Sequence, residues 1–75
     1  MENISPFQLR VYGRTELAQL YSPHTTSITA YKKLQRWILR CPHLSEQLAQ
    51  AGLNPRSRTY TPLQVRIIVE ALGEP

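Results

Sequence analysis

The stretch ITAYKKLQRWILRCP, residues 28–42, decides how this chain is read. Ala30, Leu34, Trp37, Ile38 and Cys41 recur at spacings of three and four, which sets them on one face of a helix. Thr29, Lys32, Lys33, Arg36 and Arg40 keep the same spacings on another face, and no acid stands among them. The two faces separate cleanly, so an amphipathic helix is expected over Ser27–Arg40. The polar HTTS before it offers Thr25 or Thr26 as a cap, and Cys41-Pro42 ends it.

Upstream, Phe7, Leu9 and Val11 alternate with Gln8 and Arg10, the period of a short strand with its apolar side on the helices. YGRTELAQLYSP then reads as a first helix. Gly13 takes the N-cap, Glu16 stands at N3 near the positive end of the helix dipole, and Tyr12 and Leu17 hold the staple positions. Leu17, Ala18, Leu20 and Tyr21 supply its buried side, and Pro23 stops it.

Downstream, PHLSEQLAQA predicts a third helix with Pro42 at N1 and with Leu44, Leu48 and Ala51 facing inward. Gly52 and Leu53 suit a Schellman ending that returns to Leu48. TPLQ opens a fourth helix: Thr61 as N-cap, Pro62 at N1, Gln64 closing a capping box, and Tyr60 and Val65 as staple. Leu63, Val65, Ile67, Ile68, Val69, Ala71 and Leu72 cover more than one stripe. That breadth predicts either a central helix or a face that meets another chain. The expected fold is mainly α: a short N-terminal strand, then four helices with a helix-turn-helix core.

A chain of 75 residues makes one domain, expected to span residues 1–75 with its ordered core at about 7–73. Such a domain hides only about 60–65% of its unfolded surface, so its stability margin is thin. Cys41 is the one cysteine, which excludes a disulfide framework. The start, MENISPFQL, lacks the basic and apolar regions of a leader, and no apolar run reaches membrane-spanning length. A complete, cytoplasmic protein is expected.

The net charge is +4 and the pI about 9.7, which favours an anionic partner. No acid falls between Glu16 and Glu46, where Lys32, Lys33, Arg36 and Arg40 lie. In a helix-turn-helix the second helix enters the major groove. Thr29, Lys32, Lys33 and Arg36 would then face bases and phosphates, with Arg36 suited to a bidentate guanine contact. Arg40 continues that face, and Arg14, Arg56 and Arg58 could reach flanking phosphates or the minor groove. Plain solvation produces a similar stripe, because every amphipathic helix needs a polar face and lysine and arginine are good helix formers.

Catalysis is not expected. The chain has no aspartate, its glycines are scattered, and a Cys41–His43 pair would need a charge partner and a pocket. The same pair, with His24, falls short of the four ligands of a structural zinc site. No cofactor, metal, small-molecule substrate or membrane partner is expected. Tyr12, Tyr21, Tyr31, Tyr60 and Trp37 read as core or core edge rather than as stacking platforms for bases.

YGRTELAQLYSP, KKLQRWI and RTYTPLQVRIIVEALGEP resemble a family of short Bacteroidales proteins classed as a domain of unknown function, over residues 7–75. That family implies no activity. GRTELAQLY and RTYTPLQVRII are also similar to segments of the MerR and excisionase-like helix-turn-helix group. This second resemblance implies a bacterial DNA-binding protein that uses Thr29, Lys32, Lys33 and Arg36 in the major groove. The chain departs from that group where PHLSEQLAQAGL stands in place of a wing. The leading expectation is a DNA-binding accessory or regulatory protein. The alternative is a protein-interaction or homodimerisation module, with the fourth helix as its contact.

Overall fold

The computed structural model describes residues 7–75. The expectations placed on the first six residues, including the absence of a leader, lie outside the described residues. The chain runs β1 (Tyr12–Gly13), α1 (Arg14–Tyr21), α2 (Ser27–Arg40), α3 (Leu44–Gln50), β2 (Thr59–Tyr60) and α4 (Pro62–Leu72). The fold is mainly helical, as expected.

α2 forms over the bounds its periodicity predicts, capped by the Thr26 side chain, which accepts from the Thr29 amide. Ala30, Leu34 and Ile38 are buried on it, and Leu17 and Ala18 are buried on α1, which packs along it. α3 and α4 add Leu44, Leu48, Val65 and Ile68 to the same core. Trp37 reaches this core only at its rim, edge-on to the Tyr21 ring at 6.2 Å.

The strand differs from the expectation. Leu9 and Val11 are about half exposed and lie outside any ladder, and pairing begins only at Tyr12. Tyr12 stands opposite Tyr60, and Gly13 opposite Thr59, in an antiparallel pair. Phe7 stacks on the Tyr12 ring at 5.4 Å. Two-residue strands leave no periodicity to read, so β2 could not be seen in the sequence.

Two helix ends follow their local chemistry. The Gly13 amide donates to Glu16 at the start of α1, and this bond, with Arg10 beside it, holds the Glu16 carboxyl below its ordinary value. At the start of α4, Thr61 and Gln64 exchange the reciprocal bonds of a capping box. Gln64 is buried, and its amide nitrogen also donates to the Ala51 carbonyl, tying α4 to the end of α3. That end is a Schellman motif. The Leu53 amide returns to Leu48 and the Gly52 amide to Ala49, with Gly52 at φ 98°.

Pro42 is not at the first position of α3. The Leu44 amide bonds the Cys41 carbonyl, closing a turn with Pro42 second and His43 third. His43 has φ 67° and ψ −5°, the geometry of a type II turn, in which proline suits the second position and glycine the third. Leu20 is also more open than expected on α1. On α4, Leu63 and Ala71 are exposed, while Ile67, Val69 and Leu72 lie partly buried against the core.

Two substitutions at left-handed positions should move stability in opposite directions, as read by urea unfolding. Gly52→Ala should destabilise by about 1 kcal/mol, and His43→Gly should stabilise by up to about 1 kcal/mol. A third measurement concerns Tyr21, whose phenol donates to the Gly73 carbonyl. Burial, with Glu74 nearby, raises its pKa to about 12. Tyrosinate absorbance should include a titration near pH 12 that Tyr21→Phe removes. Because the folded pKa lies above the model value of 10, this group's contribution is intact below pH 10 and is lost as pH climbs towards 12.

Candidate nucleic-acid interface

Thr29, Lys32, Arg36 and Arg40 stand exposed on α2, and Lys33 is partly exposed at the edge of that face. α3 does not cover them. The face runs down the side of α2 opposite Ala30, Leu34 and Ile38, as a period of 3.6 residues requires. The Thr29 hydroxyl accepts a hydrogen bond from Thr26, so this side chain belongs partly to the cap.

The ion pairs among the described residues join Arg10 to Glu16 and Arg66 to Glu70, and the His43 ring shares a hydrogen bond with Glu46. Lys32, Lys33, Arg36, Arg40, Arg56 and Arg58 have no carboxylate partner there. Along α2, Lys32, Arg36 and Arg40 follow one another at spacings of four. Like charges so placed cost an isolated helix about 0.2–0.5 kcal/mol per pair. The first turn of α2 also lacks the acid that its dipole would favour. Arg40, in the last turn, suits the negative end of the dipole, whereas the repulsion along Lys32, Arg36 and Arg40 works against the row.

Arg14 has a different place. Its guanidinium donates to the Ser57 carbonyl at 3.1 Å and to the Gln35 side chain at 3.4 Å. It lies 5.6 Å from the Tyr31 ring and 5.5 Å from the Tyr60 ring. Its Nε is buried without an acceptor. These partners engage the partly buried guanidinium within the fold. Gln35 in turn donates to the Tyr60 hydroxyl at 3.0 Å. The network docks the loop of residues 54–58 against α1 and the Gln35 side of α2. Within that loop the Asn54 side chain accepts from the Arg56 amide, and Ser57 caps the turn. Arg56 and Arg58 are exposed on it.

Residues that the basic stripe did not bring forward are Ile28 and Leu39, respectively 66% and 75% exposed, on the Lys32 side of α2. Their angular position was available in the sequence, because both fall outside the Ala30–Leu34–Ile38 line. A shallow groove elsewhere is lined by Phe7, Arg10, Tyr12, Glu16, Leu20 and Pro75, and none of the α2 cations borders it. Among the described residues no group of three or more His, Cys or acidic side chains could hold a metal, and no helix is long and apolar enough to cross a membrane. Cys41 is a free thiol packed at the core edge.

The different surroundings of two arginines predict different costs on truncation. Arg14→Ala should destabilise by about 1–3 kcal/mol, because it leaves the Ser57 carbonyl and Gln35 without their donor. Arg36→Ala should stay within about 0.5 kcal/mol. Urea unfolding of the two variants separates them.

No curated protein and no solved structure matches the chain. The model of a family described as a domain of unknown function, DUF4248, matches residues 8–75. That match covers nearly the whole sequence and meets the expectation of an uncharacterised family, so the chain belongs to the DUF4248 family.

Proposed function

We propose that this domain binds duplex DNA through the exposed face of α2, in an accessory or regulatory role. The observation that carries the proposal is a row of cations, Lys32, Arg36 and Arg40, exposed on one helix without acids and against local like-charge repulsion. Phosphates would relieve that repulsion. In this reading α1, the turn of residues 22–26 and α2 act as a helix-turn-helix, in line with the resemblance to the MerR and excisionase-like group. Lys32 and Lys33 meet phosphates as point charges, Arg40 meets one with its planar fork, and Arg36 offers a fork to guanine. Arg56 and Arg58 add contacts from the loop beside Gln35. Arg14 serves the fold and positions that loop.

Anisotropy titration of a labelled duplex against the full chain tests the proposal. Binding should be measurable at low salt. Its logarithm should fall against log salt with a slope of about −4 for four to five phosphates neutralised. Lys32→Glu with Arg36→Glu should abolish most of it. No binding at low salt, or binding unchanged by the double reversal, would sink the idea.

The alternative, a protein-interaction or homodimerisation module, rests on Leu63, 55% exposed on α4. Size-exclusion with light scattering distinguishes it: a dimer that Leu63→Ser dissociates would favour this second reading, and a strict monomer would count against it.

A further inference from the structure

Exposed on the cationic helix are two large apolar side chains that the phosphate contacts do not use. Ile28, Lys32, Gln35 and Leu39 follow the spacing i, i+4, i+7, i+11, one line along α2 beside the Arg36 row. Gln35 is held by Arg14 and Tyr60, so the line has a fixed orientation relative to the loop of residues 54–58. Ile28 sits at the second position of α2, 66% exposed, where the fold gives it nothing to pack on. Its β-branched side chain holds few rotamers, so it presents a stiff apolar surface. Beside it, the Thr29 hydroxyl accepts from Thr26 and keeps its own proton available to donate.

We infer that Ile28 is a specificity-determining residue that packs on the 5-methyl group of thymine in the major groove. The inference rests on the DNA-binding reading above. The first turn of a groove-entering helix is the part that reaches base edges. The thymine methyl is the one apolar group that the major-groove edge presents to an isoleucine. The neighbouring cations hold the helix on the phosphates while Ile28 supplies sequence preference. The same chemistry selects DNA over RNA. An A-form helix has a major groove too narrow for side chains to read, and uracil lacks the methyl. Leu39 lies eleven residues on, about 16 Å along the helix, too far to share that base step.

The test selects a random-sequence duplex pool over the full chain, then titrates the recovered duplex with either thymine or uracil at its thymine positions. The uracil form should bind about fourfold more weakly for each methyl contacted. Ile28→Ala should bind both forms equally. Leu39→Ala should keep the difference, and circular dichroism should show both variants folded. Equal binding of the two forms by the unmodified chain, a difference that survives Ile28→Ala, or a pool that yields no enriched sequence would each overturn the inference while leaving sequence-independent DNA binding standing. No binding of any duplex at low salt would overturn the DNA reading itself, and this inference with it.

Discussion

The burial of Tyr60 is the constraint on which the rest of the structure depends. Its side chain is fully enclosed, yet its hydroxyl receives a hydrogen bond from Gln35 on α2. A buried phenol without such a partner would be costly, so the ring can sit there only while Gln35 faces it. Across the ladder Tyr60 stands opposite Tyr12, and one residue on Thr61 caps α4. One side chain thus brings together the strand before α1, the middle of α2 and the start of α4. The Arg14 guanidinium, 5.5 Å from its ring, extends the link to Ser57 and the basic loop.

This arrangement divides the positive charge by role. Arg10 and Arg66 are paired at the surface, where such pairs are worth little. Arg14 is spent on the interior, between two aromatic rings and two acceptors. The cations of α2 and the loop remain without carboxylate partners among the described residues. The net charge of +4 therefore understates the local asymmetry of the α2 surface. Focused charge of that kind governs encounter with an anion more than it governs the fold.

The α2 face was legible in the sequence because a helix converts spacing directly into orientation. Gly13, Gly52, Thr61 and Gln64 were legible for a related reason, and Thr26 was one of two candidate caps. Capping and turn chemistry act over a few residues, and each of these positions satisfies a nearby backbone group or adopts a conformation it tolerates well. The signal at Pro42 is ambiguous, because the same residue type serves both the first turn of a helix and the second position of a type II turn. What separates them is the left-handed conformation of His43, which its residue type does not favour strongly enough to announce. Local pattern points Leu9, Val11 and Leu20 inward, yet each is about half exposed. Whether a neighbour exists to cover them is a matter of distant packing.

The sequence by itself determined the number of helices, the bounds of α2, the ends of α1 and α4, and the separation of an apolar from a basic face. All of these follow from interactions within about one helical turn. Tertiary structure alone decided that two residues at each of two distant places would pair as strands. It also decided that Gln35 would meet Tyr60 and that Arg14 would turn inward while Arg36 stayed out. Those outcomes depend on contacts between residues far apart in the chain. An arginine carries the same charge in either setting, and only the packed fold decides whether that charge meets a carbonyl, an aromatic ring or the solvent.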